Sequence, residues 1–489
     1  MDGSLALYRH SLALLTDLYQ LTMACGYWKL GRADELAAFH LFFRRPPFSG
    51  GFTIACGLGP FVEYLRAVHF EAEDLAYLAT IRGADGQPLF EAAFLDHLRR
   101  LEWTVDIDAV PEGTAVFPHE PLVRVTGPIL QCQLIETPLL NCVNFQTLIA
   151  TKAARICQAA GGESVLEFGL RRAQGIDGGV SASRAAYVGG CAGTSNLLAG
   201  KLFGIPVVGT HAHSWVMLFD DDLEAFDAYA RCMPNNCVFL VDTYDSLAGV
   251  RHAVAVGRRL RERGHELLGI RLDSGDLAYL SSEARRILDE AGFPNARIVA
   301  SNELDEHLIE SIKHQGGRIA VWAVGTRLVT GGEDAALTGV YKLSAIRHGG
   351  TWQPRIKISE HAVKSTTPGI LQVRRFTHGG QFVADMLWDQ TLGPPAESEI
   401  VDPLDPKRRR PIRPDAGHED LLVPIFRGGK LVYEIPALAA VRARTQAQVA
   451  ALHPAIRRLT NPHEYPAGLA PNLHELKTQL IVAARARRS

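Results

Sequence analysis

The sequence lacks the features that mark membrane-spanning, secreted and nucleic-acid-binding proteins. No apolar run reaches the about 20 residues that a membrane-spanning helix requires, and the first residues lack the order of a signal peptide. Charge is almost balanced, because 51 Lys and Arg residues against 53 Asp and Glu residues give a net charge of -2. Such a chain has no broad basic field to hold a nucleic-acid backbone or an anionic membrane. We therefore expect neither nucleic acid nor a membrane as a partner.

Cysteine is scarce and does not form metal-binding motifs. The 8 cysteines are scattered among apolar neighbours, a pattern typical of buried thiols in a reducing compartment. Cys232 and Cys237 are the closest pair, but their spacing matches no common zinc motif. These observations predict a cytoplasmic protein whose thiols stay reduced.

Length and composition predict a globular protein with more than one domain. The chain has 489 residues, with 47% hydrophobic and 21% charged residues, which is normal for a soluble protein of this size. Residues 1–150 form a predicted α+β segment. It contains a helix over Leu14–Leu30 with Thr16 as its N-cap, and a longer helix over Glu136–Ala160. Between them, residues 103–135 alternate in polarity and carry Pro and Gly, which predicts an antiparallel β unit.

From about residue 163 onward, short apolar runs alternate with segments of helix length. The predicted strands are Ser164–Phe168, Pro206–Val208, Val238–Val241, Leu268–Leu272, Arg297–Ala300 and Ile319–Val324. The predicted helices between them include Ser246–Arg263, Asp276–Ala291 and Glu303–Gln315. Fully apolar strands that alternate with helices favour a parallel sheet covered by helices. About six such units are fewer than a regular eight-fold barrel needs, so we expect an irregular or incomplete α/β barrel over residues 151–370.

The remaining segment, residues 371–489, begins with a hairpin-like pair of strands. A stretch rich in proline and charge follows over residues 402–418 and predicts a surface loop. A further β turn and a helix come after it. This segment does not continue the alternation of strands and helices.

Polar and charged side chains follow the end of each predicted strand. Because the carboxyl ends of parallel strands meet at one edge, these side chains are expected to converge there. The set is Gly169, Arg171, Arg172, Thr210, His211, His213, Asp242, Thr243, Asp245, Arg271, Asp273, Ser274, Gly275, Asp276, Ser301, Asn302, Gly325, Thr326 and Arg327. Arginines and Gly/Ser/Thr loops suit phosphate groups, whereas aspartates suit Mg²⁺ or sugar hydroxyls. A phosphorylated sugar with a magnesium-bound leaving group would use all of them.

Parts of this set also allow other interpretations. Asp245 and Asp276 fit equally well as helix N-caps. His211 and His213 lie two residues apart, so on a strand both would face one metal ion, as in the metal-dependent hydrolases of the barrel class. The later strand ends offer Asp242 and Asp273 but no histidine, which disfavours a catalytic zinc site.

The segment Gly189–Trp215 (GGCAGTSNLLAGKLFGIPVVGTHAHSW) joins two of these features. Its glycine-rich loop, Gly193–Asn196, leads into an apolar run of helical character. Free backbone N–H groups at such a helix start suit anion binding. The simpler alternative is a glycine-rich turn followed by a buried histidine in the core.

The whole chain resembles the nicotinate phosphoribosyltransferases through motifs in a shared order. They are LLTDLYQLTMACGYW, FHLFFRRPPFSGGFTIACGL, FGLRRAQGIDGGVSASRAAYVGGCAGTSNLLAGKLFGIPVVGTHAHSWV, VDTYDS, GIRLDSGDLAYLS, ASNELDE, VGTRLVTGG, GVYKLSAI, PRIKISEHAVKSTTPG and NPHEYPAGL. The resemblance implies that nicotinate and phosphoribosyl diphosphate give nicotinate mononucleotide and diphosphate. It also implies coupling to ATP hydrolysis, a place in NAD salvage, and Mg²⁺ as a cofactor. The implied fold is an irregular α/β barrel with a second α+β domain built from both chain ends, in a homodimer whose active sites lie at the subunit interface.

The resemblance further implies roles for single residues. His213 corresponds to the histidine that the family phosphorylates from ATP, and His211 is the less favoured candidate. Tyr19 of the partner subunit and Phe168 would enclose the pyridine ring between them. The other implied contacts are Thr210 and Arg271 to nicotinate, Ser301 to substrate, Asp242 and Asp273 to ribose hydroxyls or Mg²⁺, and Arg171, Gly325, Thr326 and Thr366 to phosphates.

Ser195 is the residue that we expect to select the substrate. The related nicotinamide enzymes carry an acidic residue in this loop, where a carboxylate can accept a hydrogen bond from an amide NH₂. In a poorly solvated pocket the same carboxylate would repel nicotinate, whereas a serine hydroxyl can donate a hydrogen bond. The sequence therefore predicts nicotinate in preference to nicotinamide.

Overall fold

The computed structural model describes residues 11–359, 365–394, 399–403, 405 and 407–486, which divide between two units. Unit 1 falls within Met1–Thr147, Ala336–Ala437 and Ala447–Ser489, so it draws on both ends of the chain. Unit 2 comprises Leu148–Ala335 and Leu438–Gln446. Residues 336–370 group with unit 1, whereas the sequence placed the end of the middle segment at residue 370. The assignment of these segments as domains stays a prediction.

The first part of the chain, up to residue 160, contains both helices and short strands. The helices are α1 (Leu18–Lys29), α2 (Leu58–Ala67), α3 (Ala72–Thr80), α4 (Ala92–Arg99), α5 (Ile129–Leu134) and α6 (Glu136–Ala160). The strands are β1 (Leu36–Phe43), β2 (Thr53–Ile54), β3 (Asp106–Ala109), β4 (Ala115–Val116) and β5 (Val123–Pro128). Helix α6 has the predicted bounds, and it stops at Gly161 and Gly162, whose positive φ angles of 63° and 101° cannot continue a helix.

Two local predictions for this part were wrong. Asp17, and not Thr16, occupies the N-cap position of α1, and the Thr16 hydroxyl is buried without a hydrogen-bond partner among the described residues. The β unit predicted over residues 103–135 ends at Pro128, because α5 begins at Ile129. All residues of α5 are buried, Gln131 and Gln133 included, so its alternation of apolar and polar residues does not mark a strand with one exposed face.

The middle part, residues 161–335, alternates strand and helix as predicted. The strands are β6 (Ser164–Glu167), β7 (Gly193–Thr194), β8 (Val238–Leu240), β9 (Gly269–Leu272), β10 (Arg297–Ala300) and β11 (Val321–Val324). The helices are α7 (Gly175–Gly189), α8 (Leu197–Phe203), α9 (His213–Val216), α10 (Asp222–Cys232), α11 (Ser246–Glu262), α12 (Leu277–Glu290), α13 (Glu306–His314) and α14 (Thr326–Val329). The predicted strand Pro206–Val208 contributes only an isolated bridge, between Val207 and Thr194.

The last part consists mainly of strands. They are β12 (Gly339–His348), β13 (Thr351–Pro354), β14 (Leu371–His378), β15 (Gln381–Asp389), β16 (Glu399–Val401), β17 (Arg409–Pro411), β18 (Gly417–Asp420), β19 (Val423–Arg427), β20 (Lys430–Leu431) and β21 (Ala467–Leu469). The helices are α15 (Leu438–Ala451) and α16 (Pro471–Ala486). The predicted hairpin is β14–β15, paired in antiparallel fashion. The predicted loop over residues 402–418 contains β17 and the start of β18, although the residues of both strands are exposed.

Unit 1 contains two large sheets, one antiparallel throughout and the other with a single parallel pair, β15–β21. One sheet has the order β13-β12-β1-β5-β3-β19-β20, and another has the order β17-β16-β21-β15-β14-β18. Strand β1 lies between β12 and β5, and all but its first residue are buried. A central strand covered on both faces accounts for its nearly continuous apolar sequence, LAAFHLFF. This arrangement agrees with the α+β character expected of the segment formed from both chain ends.

Unit 2 contains a parallel sheet with the order β7-β6-β11-β10-β9-β8. All its pairings are parallel, so the carboxyl ends of its strands lie along one edge. Asp245 and Asp276 cap the helices that follow β8 and β9 by accepting backbone N–H groups at 2.7 Å and 3.0 Å. Both are therefore structural N-caps, as the simpler interpretation held.

The expected barrel is found only as this open parallel sheet, since no closed barrel is formed by the described strands. The segment from Val207 to His211 nevertheless contacts the strands at both edges of the sheet. Val207 bridges Thr194 of β7, and Leu240 of β8 donates its backbone N–H to His211 Nε2 at 3.3 Å. Among the described helices, none is both long and apolar enough to cross a membrane.

Candidate active site

An open cleft lies at the carboxyl ends of the parallel strands of unit 2, with about 500 Å³ of empty space. We call it the strand-end cleft. It is lined by Phe168, Arg171, Arg172, Arg271, Asp273, Ser301, Asn302, Glu303, Ala323, Gly325 and Thr326. Most of the substrate-binding residues that the sequence predicted for this unit therefore line one cavity.

Arg271, near the end of β9, connects the neighbouring strand ends. Its Nε donates to Ser301 Oγ at 2.8 Å, Nη1 to Thr210 Oγ1 at 3.0 Å, and Nη2 to Asp273 Oδ1 at 3.0 Å. The side chain is only 12% exposed, so these bonds hold the guanidinium in one orientation. A guanidinium has five N–H groups, and the two that remain are available to a bound anion.

Phe168 follows β6 directly and faces the same guanidinium. The Cζ atom of Arg271 lies 5.8 Å from the centre of the Phe168 ring. The backbone N–H of Phe168 donates to the Val324 carbonyl at 2.7 Å, which continues the pairing of β6 with β11. An aromatic face beside a fixed cation suits a planar ring that carries a carboxylate.

Two glycines allow the turns after β6 and β11 to approach each other. A Cβ atom on Gly169 would lie 2.3 Å from Val329 Cγ1 and 3.0 Å from the Gly325 carbonyl oxygen. A Cβ atom on Gly325 would lie 3.3 Å from the Phe168 carbonyl oxygen. A side chain at position 169 would therefore clash with Val329, so the position requires glycine. Both glycines contribute backbone that borders the cleft.

Asp242 and Asp273 lie together at the ends of β8 and β9. Asp242 Oδ2 accepts the backbone N–H of Asp273 at 2.8 Å and the Ser274 hydroxyl at 2.7 Å. Asp242 Oδ1 is buried and has no hydrogen-bond partner among the described residues. Asp273 Oδ1 accepts from both Arg271 and the Ser301 hydroxyl. An unpartnered buried carboxylate oxygen is costly unless a ligand or cation completes it.

His213 is the first residue of α9 and stands beside these carboxylates. Its Nδ1 lies 3.0 Å from Thr243 Oγ1, and its Nε2 lies 3.8 Å from Asp273 Oδ2. The side chain is 39% exposed, so a co-substrate can reach it. When Nδ1–H donates its hydrogen bond to Thr243 Oγ1, Nε2 keeps its lone pair and is the nucleophilic nitrogen.

His211, two residues earlier, has a structural role. It is buried among Phe226, Tyr229 and Phe239, and this burial lowers its pKa to about 4. Its Nε2 accepts the Leu240 N–H, and Nδ1 lies 3.4 Å from the Ala212 carbonyl oxygen. Because both ring nitrogens have backbone partners, the alternative of a metal site shared by His211 and His213 has no geometric support.

Sequence reasoning did not identify a buried polar network behind the glycine-rich loop. Glu167, the last residue of β6, is completely buried and accepts from the Gly169 N–H, the Ser183 hydroxyl at 2.8 Å and the Thr194 hydroxyl at 2.5 Å. Asn196 donates to the Ser183 hydroxyl at 3.1 Å, and its Oδ1 caps α8. A buried carboxylate at the end of an apolar strand needs hydrogen-bond donors. The position of Glu167 at the end of such a strand was therefore the signal in the sequence that could have indicated the network.

Ser195 lies between two members of this network. Its backbone N–H donates to the Glu167 carbonyl at 2.9 Å, which continues the β6–β7 ladder. Thr194 and Asn196 on either side are buried, whereas Ser195 is half-buried. The loop that we expected to cradle an anion is therefore largely a structural element, and Ser195 is the residue of it that stays accessible.

The rest of the cleft is more exposed. Arg171 and Arg172 are exposed and form the last two residues of a short 3₁₀ turn after β6. The Thr326 hydroxyl donates to Glu303 Oε1 at 2.9 Å, a contact that the sequence did not predict. Asn302 has a φ of 109°, which is unusual for a residue with a side chain and typical of functional sites.

Two predicted site residues belong to unit 1. Tyr19 lies on α1 and is 47% exposed. Thr366 is buried, and its Oγ1 accepts the Lys357 backbone N–H at 2.9 Å. Lys364, in the same motif, lies outside the described residues.

No group of three or more His, Cys, Asp or Glu side chains within the described residues has an arrangement that would hold a metal by itself. Asp242 Oδ1 is the feature that fits a cation. Mg²⁺ is commonly bound through one or two carboxylates, with substrate phosphates and water completing the shell. The chemistry of Asp242 and Asp273 therefore fits a magnesium ion that arrives with a phosphorylated substrate.

The sequence is similar to known proteins over nearly its full length. A family model for the nicotinate phosphoribosyltransferase N-terminal domain matches residues 14–144, and one for the C-terminal domain matches residues 372–477. The chain is 42% identical to the nicotinate phosphoribosyltransferase of Bacillus subtilis, over 98% of this chain and 96% of that protein. It is 38% identical to the human nicotinate phosphoribosyltransferase, over 96% of each.

A comparison with solved structures points to the same family. The crystal structure of human nicotinic acid phosphoribosyltransferase matches with a TM-score of 0.82 and 36% identity, over 95% of this chain and 99% of that one. Since the match covers 95% of this chain, it extends over both units.

Proposed function

The chain belongs to the nicotinate phosphoribosyltransferase family, and we propose that it forms nicotinate mononucleotide and diphosphate from nicotinate and phosphoribosyl diphosphate. The bond between the anomeric carbon and diphosphate breaks, and a bond from that carbon to the pyridine nitrogen forms. The observation that supports this proposal most directly is in the strand-end cleft, where the Phe168 ring lies beside the fixed guanidinium of Arg271. This product would enter NAD salvage in the cytoplasm.

The cleft offers separate groups for the two substrates. The pyridine ring would lie against Phe168, and its carboxylate would accept from the N–H groups of Arg271 that have no protein partner, with Thr210 alongside. Phosphate oxygens would accept hydrogen bonds from the exposed guanidinium of Arg171. The remaining proposed contacts are Ser301 to substrate, Gly325, Thr326 and Thr366 to phosphates, and Ser195 to the nicotinate carboxylate.

Catalysis would rest on positioning and charge, since the protein forms no bond to ribose. As diphosphate leaves, positive charge develops on the ribose ring, and Asp242 and Asp273 would hold its hydroxyls. If Mg²⁺ binds, Asp242 and Asp273 are the residues that would hold it, and the ion would supply charge neutralisation for the diphosphate oxygens.

His213 is the residue that we propose couples the reaction to ATP. Its Nε2 lone pair would attack the terminal phosphorus of ATP, the bond to the bridging oxygen would break, and ADP would leave. Water would later hydrolyse the phosphohistidine and release phosphate. The contact of Nδ1 with Thr243 Oγ1 supports this assignment, because it fixes the ring and directs Nε2 to the Asp273 side.

We propose a homodimer whose active site takes Tyr19 from the partner subunit. Both units expose large apolar side chains that contact between subunits would cover. In unit 2, exposed side chains on and near α8 and α9 include Leu197 (75%), Leu202 (57%), Met217 (67%) and Leu218 (72%). If Tyr19→Ala and His213→Ala chains, each expected to lose ATP-stimulated turnover, are mixed and their subunits exchanged, that turnover should return only if one site uses both subunits.

We also propose that residues 207–211 complete an irregular barrel. The bridge of Val207 to β7 and the hydrogen bond of His211 with β8 support this closure. Residues 207–211 form no continuous ladder of hydrogen bonds with either edge strand, so the described strands by themselves form an open sheet.

The test is product formation from nicotinate and phosphoribosyl diphosphate, followed by chromatography with and without ATP. Arg271→Lys should lower kcat/KM for nicotinate by about 10- to 100-fold, because an ammonium cannot replace three directed bonds. Arg286→Lys is the matched control, since Arg286 is exposed and its ion pairs among the described residues are with Glu283 and Glu290 of its own helix. Absence of nicotinate mononucleotide would reject the proposal, and hydrolysis that requires zinc would favour the metal hydrolase instead.

A further inference from the structure

A second cavity, in unit 1, contains a buried lysine that the proposed reaction does not use. Its empty space, part of which is open to solvent, is about 390 Å³. Lys477 of α16, Ser365, Thr367 and His119 supply its polar lining. We call it the Lys477 pocket.

Lys477 is unusually isolated for a buried cation. The residue is 8% exposed, and its hydrogen bond among the described residues is a long one, 3.4 Å from Nζ to the neutral Thr367 Oγ1. No carboxylate within the part of the chain that the structure describes lies at ion-pair distance from it. Removing an ammonium from water costs several kcal/mol unless a counter-charge or strong hydrogen bonds replace the lost hydration.

The described residues around Lys477 do not provide that counter-charge. His119, across the pocket, has its pKa lowered to about 4 by burial, with a further lowering from Lys477 and Arg44. His474, one turn earlier on α16, also has its pKa lowered by burial and by nearby Arg409 and Lys477. Arg409 is paired with Glu399 at 2.9 Å. Burial lowers the pKa of Lys477 itself to about 8, so at pH 7 the ammonium form still predominates.

We propose that the Lys477 pocket binds a phosphate oxyanion, held by the Lys477 ammonium and by the hydroxyl groups of Ser365 and Thr367. One cation with two hydroxyl donors suits a tetrahedral oxyanion, which accepts several hydrogen bonds at once. The anion would supply the counter-charge that the described residues do not give the buried ammonium. Lys477 has no part in the proposed ribosyl transfer, so the site stands whether or not that reaction is correct.

The anion would also act on the neighbouring segment of the chain. Ser365 and Thr367 flank Thr366, whose hydroxyl accepts the Lys357 backbone N–H. Occupation of the pocket would therefore fix both neighbours of a residue proposed to contact substrate phosphates. Inorganic phosphate and diphosphate share the required chemistry, and the experiment separates them.

Titration calorimetry of the full-length protein with inorganic phosphate, and then with diphosphate, tests the proposal. Lys477→Met removes the charge at similar volume, and Lys477→Arg keeps it. Arg171→Ala is the control for anions that bind the strand-end cleft. We expect phosphate binding to fall at least tenfold in Lys477→Met, while Lys477→Arg and Arg171→Ala retain it.

Thermal unfolding gives a second readout that does not depend on activity. Without phosphate, Lys477→Met should melt at the wild-type temperature or above, since an unpaired buried charge has been removed. Added phosphate should raise the melting temperature of the wild type and not of Lys477→Met. Equal phosphate binding by wild type and Lys477→Met would overturn the proposal. So would binding of diphosphate alone that disappears in Arg171→Ala, because that anion would belong to the cleft.

Discussion

Asp242 Oδ2 accepts the backbone N–H of Asp273 at 2.8 Å, so one carboxylate fixes the geometry of two neighbouring strand ends. Its other oxygen, Oδ1, is buried and has no partner among the described residues. One oxygen thus serves the fold, and the other is available for a ligand. The two oxygens can be separated by experiment, because an amide retains one acceptor and loses the charge.

Asp242→Asn should lower kcat/KM by at least about 100-fold while the protein stays folded, since charge near the reacting ribose is worth several kcal/mol. Steady-state kinetics with varied Mg²⁺ and a melting curve measure the two effects. Asp245→Asn makes the same change at the exposed cap of α11, where asparagine caps equally well. Similar kinetic losses in both variants would contradict a special role for Asp242.

His213→Ala should abolish the stimulation of product formation by ATP, and should also abolish acid-labile labelling of the protein by ATP that carries a labelled terminal phosphate. The reason is that no other ring nitrogen of the strand-end residues is both accessible and oriented by a partner. His314→Ala, at the exposed end of α13, is the control. Full ATP stimulation in the His213 variant would disprove the assignment.

Ser195→Asp should reduce kcat/KM for nicotinate by about 10- to 100-fold, because a carboxylate at the proposed contact with the nicotinate carboxylate would repel it. Ser195→Asn has similar size and no charge, so it separates repulsion from crowding. Competition assays with nicotinate and nicotinamide measure the preference. If nicotinate turnover were unchanged in Ser195→Asp, selection by this residue would be ruled out.

Glu120 in unit 1 predicts a pH effect on stability. It is 1% exposed, and burial, followed by nearby Asp385, raises its pKa well above the ordinary value. The folded state therefore holds a proton that the unfolded chain releases above about pH 4.3. Its contribution to stability is fully present below that pH and is lost as the pH rises through the raised folded pKa.

Glu120→Gln should remove this dependence, because the amide is neutral at every pH. Urea unfolding at pH 5 and pH 8 should show the free energy of unfolding of the wild type falling more steeply toward pH 8 than that of the variant. Each unit of pKa difference is worth about 1.4 kcal/mol. Glu419→Gln, on exposed β18, should leave the slope unchanged. Parallel slopes for the wild type and Glu120→Gln would contradict the prediction.

The strands of the parallel sheet were predictable because each is a short apolar run followed by a polar residue. Ser164–Glu167 and Arg297–Ala300 appear within one residue of their predicted bounds. The two-residue strand β7 was not predicted, since Gly193 and Thr194 have no apolar pattern and depend on pairing with β6. The N-cap of α1 was misplaced by one residue, because Thr16 and Asp17 have equal capping chemistry in sequence.

The cleft was predictable to the extent that it follows from strand ends. Arg271, Asp273 and Ser301 converge because parallel strands bring their carboxyl ends together. The division of labour between His211 and His213 came from family resemblance, and burial of His211 supplies its physical basis. The network around Glu167 was missed because its partners lie on α7 and β7, a tertiary contact that no local pattern encodes.

The close approach at Gly169 limits how this cleft can be re-engineered. No side chain fits there without moving Val329 or the Gly325 carbonyl, so this stretch of cleft wall consists of backbone alone. A directed-evolution library aimed at bulkier pyridines would gain nothing from randomising that position. Diversity would have to come from exposed side chains that line the cleft, such as Arg171 and Arg172, so the backbone at Gly169 restricts variation to the edge of the cleft.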